Sequence, residues 1–122
     1  LVPDWAARKR GDALAADLAA LNHPLPAPTS PPPMEGDAAM LGAIYVVEGS
    51  RLGGRFLARG VGAGLPKSYL GADQPPGSWP KLLAQFDKLL YRPDDLSQAI
   101  EGARAAFAAF EAAGRRWLPK VG

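Results

Sequence analysis

The apolar positions of the chain recur every three or four residues in four groups, which is the spacing of helices that bury one face. The groups cover about residues 4–22, 38–61, 78–91 and 95–117. No segment alternates between apolar and polar positions as a half-buried strand does. The pattern predicts an all-α fold of about four helices, which we expect to form a single domain over residues 1–122.

Helix starts and buried faces follow from the same pattern. Polar residues suited to capping stand at the four starts: Asp4, Asp37, Ser78 and Asp95, the last with capping-box spacing to Gln98. Apolar stripes predict the buried faces of the first, third and fourth helices. They consist of Trp5, Leu14, Leu18 and Leu21, then Leu82, Leu83, Phe86, Leu89 and Leu90, and finally Ile100, Ala103, Phe107, Phe110 and Trp117.

The second helix is apolar nearly all round, which is typical of a helix at the centre of a fold. Glu48 falls inside its apolar run, AAMLGAIYVVEG. A buried carboxylate is costly unless it is paired or hydrogen-bonded. We therefore expect Glu48 to pair with an arginine of a neighbouring helix, with contact to a polar ligand group as the alternative.

Three glycines follow where this helix should be continuous. Gly49, Gly53 and Gly54 have spacings that place them on one side of a helix. A glycine in a helix interior costs about 0.5–1 kcal/mol relative to alanine, so three within six residues need an explanation. Close helix packing or a helix end is one explanation. A flat, bulky group lying against the backbone is the other, and the pattern alone leaves both open.

A proline-rich connector, HPLPAPTSPPPMEG over residues 23–36, separates the first two helices. It has too few apolar side chains for a core of its own, so we expect an extended surface linker, with a proline-motif ligand for another domain as the alternative. His23, the only histidine, lies in this connector rather than on a helix face. We therefore expect no metal role for it.

Composition narrows the function classes further. The chain has no cysteine, which excludes disulfides and thiol catalysis and fits a reducing cytosol, so we expect a cytoplasmic protein. A formal net charge of +2 with interspersed acids and bases does not indicate nucleic-acid binding. No apolar run reaches the ~20 residues of a membrane span. The chain begins at Leu1 without Met or a leader, which indicates a fragment, a processed product or part of a longer chain.

Common catalytic arrangements are absent from the sequence. No spacing suggests a zinc site. The segment GSRLGG lacks the lysine of a phosphate-binding loop and does not follow a strand. Ser50 has no local histidine partner, so a serine triad is not expected. The remaining candidates for a functional site are the helix with glycines on one side and the later helix that carries Arg104.

A family signature is recognisable in residues 45–55 of the second predicted helix, YVVEGSRLGGR, together with the preceding Leu41-Gly42-Ala43. This segment resembles the distal-helix signature of bacterial haem oxygenases. The resemblance is closest to the biliverdin-forming type associated with bacteriophytochromes. Residues 2–5 through 17–21 resemble the helix before the connector in those proteins, and residues 99–107 resemble their late helix. The resemblance covers essentially the whole chain, although only the distal-helix motif is specific.

The resemblance implies a haem-oxygenase-like helical bundle, in which haem is held between a proximal and a distal helix. It implies haem contacts for Tyr45, Gly49, Gly53 and Gly54, and a distal water network held around Ser50, so that Gly49, Ser50, Gly53 and Gly54 form the catalytic set. It also implies that Arg104 pairs with a haem propionate. Haem is then both substrate and cofactor, and no metal ligand is expected within this sequence.

One departure from the family concerns the iron-ligating histidine. Family members carry it on a first helix, upstream of anything in this sequence, and His23 does not align with it. We interpret the chain as N-terminally incomplete relative to the family. The expected function is haem cleavage to biliverdin, iron and carbon monoxide. The alternative is a non-catalytic helical binding or interaction module that has lost the proximal ligand. The resemblance further implies an electron donor and a bacteriophytochrome as acceptor of biliverdin. A homodimer is a separate expectation.

Overall fold

Five helices make up the regular structure of the chain in a computed structural model that describes residues 2–27, 34–72 and 76–118. They are α1 (Trp5–Arg8), α2 (Gly11–Ala20), α3 (Gly36–Arg59), α4 (Ser78–Leu89) and α5 (Pro93–Trp117). These described residues contain no strand, which confirms the all-α prediction. None of the five helices is long and apolar enough to cross a membrane.

The first predicted helix is in fact two helices. Lys9 adopts an extended conformation that ends α1, and α2 starts again at Gly11. Successive helical residues are 100° apart, so an unbroken helix would direct Arg8 and Arg10 to nearly opposite sides. Both arginines are buried in the structure. The break therefore allows both side chains to reach interior partners, which the apolar spacing did not predict.

The chain forms two compact units. The α3–α5 unit contains residues 34–47 and 84–118, and the α1–α2 unit contains residues 2–27, 48–72 and 76–83. The first half of α3 belongs to one unit and the second half to the other. The expectation of a single domain stays a prediction.

The core of the α3–α5 unit is a close crossing of two helices. A Cβ built on Gly42 would lie 1.8 Å from the carbonyl oxygen of Ala99, and one on Gly102 would lie 1.9 Å from that of Ala39. Only glycine allows the two backbones to approach so closely. The buried side of α5 therefore consists of small residues, namely Ala99, Gly102 and Ala106.

The predicted buried face of α5 is wrong for this reason. Four of its large members are exposed: Ile100, Phe107, Phe110 and Trp117. The face of the first helix is also wrong, since Trp5, Leu14 and Leu21 are exposed and α2 buries none of its residues. In α4 the prediction is confirmed at Leu82 and Phe86, which are buried, but Leu89 is exposed.

Three of the predicted side-chain caps are not formed. Asp4 occupies the N-cap position of α1, but its side chain makes no capping hydrogen bond and pairs with Arg8 instead. Ser78 is the first residue of α4, and its Oγ has no hydrogen-bond partner among the described residues. The N-cap of α5 is Arg92, so Asp95 lies in the first turn. Proline at the start of α5 requires no N–H partner there, which makes a side-chain cap less necessary.

The connector over residues 23–36 lies partly outside the described residues. In the described part of the connector, Nδ1 of His23 lies 2.7 Å from the carbonyl oxygen of Pro24. Within residues 2–27, 34–72 and 76–118, no cluster of histidine, aspartate and glutamate side chains is suited to hold a metal ion.

Candidate functional site

The second half of α3 presents an exposed side within the α1–α2 unit. Gly49, Leu52, Gly53 and Phe56 occur at the one-turn and two-turn spacings of a helix and are all exposed. Leu52 is 81% exposed and Phe56 is 73% exposed, so two large apolar side chains lie at the surface beside the two glycines. We call these four residues the glycine face. Leu52 and Phe56 were not predicted site residues, although their helical spacing from Gly49 would have identified them.

Gly53 has no packing reason to be glycine within the described residues. A Cβ built on it would meet nothing within 4 Å. A Cβ on Gly49 would lie 3.4 Å from the ring of Trp79, an ordinary van der Waals contact. Alanine would therefore fit at both positions and would favour the helix by about 0.5–1 kcal/mol at each. The structure thus leaves the glycine at position 53 unexplained by the chain's own packing.

Gly54 differs from these two glycines. It is buried, and a Cβ on it would lie 3.2 Å from the carbonyl oxygen of Leu70. Such a distance is tighter than ordinary contact, so the loop that follows α3 already accounts for the missing side chain. Its predicted haem contact stays a prediction.

The other predicted site residues lie in different surroundings. Ser50 is exposed on the same half of α3. Tyr45 belongs to the α3–α5 unit, where it is half exposed and its ring centroid lies 6.1 Å from that of Phe86. Arg104 lies on α5 in that unit and is exposed, with Nη1 3.1 Å from Oε1 of Glu101.

A cluster of buried charges lies on α3 roughly 120° around the helix axis from the glycine face. Nη1 of Arg8 donates a hydrogen bond to Oε1 of Glu48 at 3.0 Å, and Nε of Arg51 donates to Oε2 at 3.0 Å. The three side chains are only 1–4% exposed. The predicted pairing of Glu48 with an arginine of a neighbouring helix is confirmed, and Arg51 adds a second partner from α3 itself. Arg8 is 40 residues away in sequence, so no local spacing could have identified it.

Two backbone carbonyls extend this cluster. Nη2 of Arg8 donates a hydrogen bond to the carbonyl oxygen of Ser78 at 2.8 Å, and Nη2 of Arg51 donates to the carbonyl oxygen of Arg8. Burial disfavours the charged form of Arg8, but the adjacent carboxylates of Asp4 and Glu48 outweigh it and raise the pKa of Arg8. The Arg8 guanidinium in turn lowers the pKa of Asp4. Both pKa shifts favour the charged forms of Arg8 and Asp4 at neutral pH.

A second set of contacts holds the loop after α3 against α2. The backbone N–H groups of Ser68 and Tyr69 donate to the two carboxylate oxygens of Asp17, each at 2.8 Å. These hydrogen bonds, that from Tyr69 first, lower the pKa of Asp17. The Arg10 guanidinium lies 4.4 Å from the centroid of the Tyr69 ring, a cation–π geometry. The same loop carries Leu70, the residue beside Gly54.

The glycine face suits a flat, apolar ligand. The open space above Gly53 gives access to helical backbone, and the exposed side chains of Leu52 and Phe56 would lose water contact under such a ligand. Burial of apolar surface is worth about 25 cal/mol per Å². No side chain of the glycine face is charged or nucleophilic, so the face can bind and orient a ligand but supplies no reactive group.

Two curated proteins are similar to this chain. A haem oxygenase of Xanthomonas campestris pv. campestris is 39% identical over 113 residues, which cover 87% of this chain and 67% of that protein. Haem oxygenase PigA of Pseudomonas aeruginosa is 34% identical, over 90% of this chain and 60% of that protein. The chain thus spans about two thirds or less of the length of these relatives. No family model matches the chain, and no solved structure matches it.

Proposed function

The chain belongs to the haem oxygenase family, and we propose on this basis that the protein cleaves haem oxidatively to biliverdin, iron and carbon monoxide, using dioxygen and reducing equivalents. Gly53 is the observation in the structure that carries the proposal. It is a helix-interior glycine with open space where its side chain would be, between two exposed apolar side chains. A planar porphyrin against the helix backbone supplies the reason for the missing side chain.

The residue roles in this proposal are those of a binding and orienting surface. Gly49 and Gly53 admit the porphyrin close to the α3 backbone, and the family resemblance alone assigns haem contacts to Gly54 and Tyr45. The exposed hydroxyl of Ser50 helps to hold water near the ligand. Arg104 pairs with a propionate, and a hydrogen bond of that charge-assisted kind contributes about 1.5–3 kcal/mol.

Haem supplies the oxygen chemistry when it is bound, while the protein controls position and water. Reducing equivalents come from an electron donor, and biliverdin passes to an acceptor such as a bacteriophytochrome. We propose a cytoplasmic protein that acts as a homodimer and needs neither nucleic acid nor a membrane. The family resemblance supports the donor and the acceptor.

The test is haem titration of the protein followed by addition of a reductant. We expect a Soret band on titration and the absorbance of biliverdin after reduction. Absence of both signals would refute the proposal. A Soret band without any turnover would instead favour the non-catalytic binding module.

Gly53→Leu links the activity to the proposed surface. The open space at this position lets the side chain fit the free protein, so folding should survive while haem binding and turnover fall. Gly11→Leu is the matched control, because Gly11 also has nothing within 4 Å and lies on α2. Equal turnover in both variants would contradict the placement of haem on the glycine face.

A further inference from the structure

The buried cluster of Arg8, Glu48 and Arg51 is more elaborate than a charge pair requires. Each oxygen of the Glu48 carboxylate accepts a hydrogen bond from a different arginine. Each arginine also donates to a backbone carbonyl: Arg8 to Ser78, and Arg51 to Arg8 itself. The result is a set of contacts that joins α1, α3 and the first residue of α4, although Nη1 of Arg51 is buried without a hydrogen-bond partner among the described residues.

The position of the cluster on α3 relates it to the glycine face. Glu48 and Arg51 are one turn apart and buried, whereas Gly49 and Leu52 directly follow them and are exposed. At 100° per residue, the midpoint of the buried pair lies roughly 120° around the helix from the middle of the glycine face. Rotation of α3 about its axis would therefore break the cluster and turn the glycine face inward.

Stability alone is a weak explanation for these charges. Removing two arginines and a carboxylate from water is costly, and apolar residues of similar volume often stabilise a protein as well or better. Directional hydrogen bonds can fix the orientation of a helix, because they form in one orientation and are lost in others. Apolar contacts lack this directionality.

From this geometry we infer that Arg8, Glu48 and Arg51 are positioning residues, which fix the rotation of α3 so that the glycine face is presented to its ligand. The residues do not touch the ligand. The inference rests on the proposed function for the identity of that ligand, but the orientation of the helix can be measured without it.

Arg51→Lys is the sharpest test. Lysine keeps the positive charge beside Glu48, but its single ammonium group cannot reproduce the fixed guanidinium fork that reaches Glu48 and the Arg8 carbonyl together. We expect amide hydrogen exchange over residues 49–56 to become about tenfold faster, with exchange in α5 unchanged. We also expect the dissociation constant for haem to rise about tenfold, as for other residues that orient a binding group.

Arg115→Lys is the matched control. Arg115 forms the same kind of pair, with Nη2 2.6 Å from Oε1 of Glu111, but on the surface. It should leave both measurements unchanged. Unchanged exchange over residues 49–56 in Arg51→Lys, or an equal rise in that segment and in α5, would overturn the inference, because a purely structural role predicts one of those results.

A second variant covers the case in which Arg51→Lys fails to fold. The triple replacement Arg8→Met, Glu48→Leu and Arg51→Met removes every charge of the cluster and retains its volume. We expect it to melt near the wild-type temperature but to bind haem about tenfold more weakly. Wild-type haem affinity in a folded triple variant would overturn the inference.

Failure of the proposed haem function can be distinguished from failure of the positioning role of Arg8, Glu48 and Arg51. If wild-type protein gives no Soret band with haem, the proposed function fails. The exchange rates of residues 49–56 then decide the positioning role alone, because they are measured on the protein without ligand.

Discussion

The glycines of this chain are required for different physical reasons. The atoms that lie opposite each missing side chain distinguish these reasons. Gly42 and Gly102 lie where carbonyl oxygens of the facing helix leave no room for a Cβ. Gly54 lies against the Leu70 carbonyl, whereas Gly53 faces open space. A missing side chain in the first three cases serves packing. At Gly53 the missing side chain lowers helix stability and allows no close packing contact within the described residues. Such a cost is expected at a position that is adapted to a ligand.

Gly53→Ala should therefore separate stability from binding. The new methyl group meets no atom within 4 Å and favours the helix, so we expect the free energy of unfolding to rise by about 0.5–1 kcal/mol. Haem affinity should fall, because the methyl group holds the porphyrin away from the backbone. Urea denaturation and haem titration measure the two effects. A variant that is more stable and binds haem as tightly as wild type would contradict the role of Gly53.

At the scale of elements, the crossing of α3 and α5 shows how small residues select a buried face. Large apolar residues along α5 would bury more surface, but they cannot enter a contact in which backbones nearly touch. Ala99 and Ala106 flank Gly102 one turn away on either side and complete the narrow interface. Helix α5 is thus held against α3 by close approach of the two backbones rather than by interlocking large side chains.

Gly102→Ala should disrupt this crossing. Its Cβ would lie 1.9 Å from the Ala39 carbonyl oxygen, so the helices must move apart and the free energy of unfolding should fall by about 3 kcal/mol. Gly114→Ala on the same helix is the control, since its nearest neighbour is the Leu118 side chain at 3.8 Å. We expect that control to stabilise the protein slightly. Equal melting temperatures for the two variants would refute the close crossing.

The contact between α2 and the loop after α3 is sensitive to acid. Hydrogen bonds from Tyr69 and Ser68 lower the pKa of Asp17 below its usual value of 3.8, so the unfolded chain takes up a proton first as the pH falls. The contribution of Asp17 to stability is therefore complete above pH ~4 and is lost as the pH falls through the lowered folded-state pKa.

Asp17→Asn should make this loss visible. The melting temperature of the variant should lie below that of wild type at pH 7, and the difference should shrink below pH ~4. Thermal melts recorded from pH 7 to pH 2 provide the measurement. Curves that remain parallel over the whole range would mean that the Asp17 carboxylate does not hold the loop.

At the scale of the whole molecule, buried charge connects segments that are distant in the chain. Among the described residues, Glu48 is the acid in contact with Arg51, and it shares Arg8 with the more exposed Asp4. Loss of that one carboxylate leaves Arg8 with Asp4 as its acid partner and removes the carboxylate that Arg51 contacts. The cluster is consequently the point at which a single substitution should most affect the folded state.

Glu48→Ala should lower the free energy of unfolding by about 3–5 kcal/mol, the range expected when one member of a buried ion pair is removed. Glu111→Ala removes a carboxylate from an exposed pair and should cost less than about 1 kcal/mol. Chemical denaturation of both variants compares them directly. A small loss at Glu48 would show that water reaches the two arginines.

Sequence patterns predicted the helices of this protein because periodicity, proline and glycine act locally. They also predicted that Glu48 needs an arginine, since the cost of a buried carboxylate is independent of the fold. They failed where the outcome depended on distant backbone. The break at Lys9, the small-residue face of α5 and the missing caps follow from interior partners and close contacts between helices.

The candidate site divides in the same way. The sequence by itself determined that α3 carries glycines in need of a reason, and its resemblance to haem oxygenases supplied one. Only the tertiary structure decided which glycines serve packing, because that depends on what stands opposite each missing side chain. It placed Leu70 beside Gly54 and open space beside Gly53, and it placed Arg8 against Glu48 from 40 residues away.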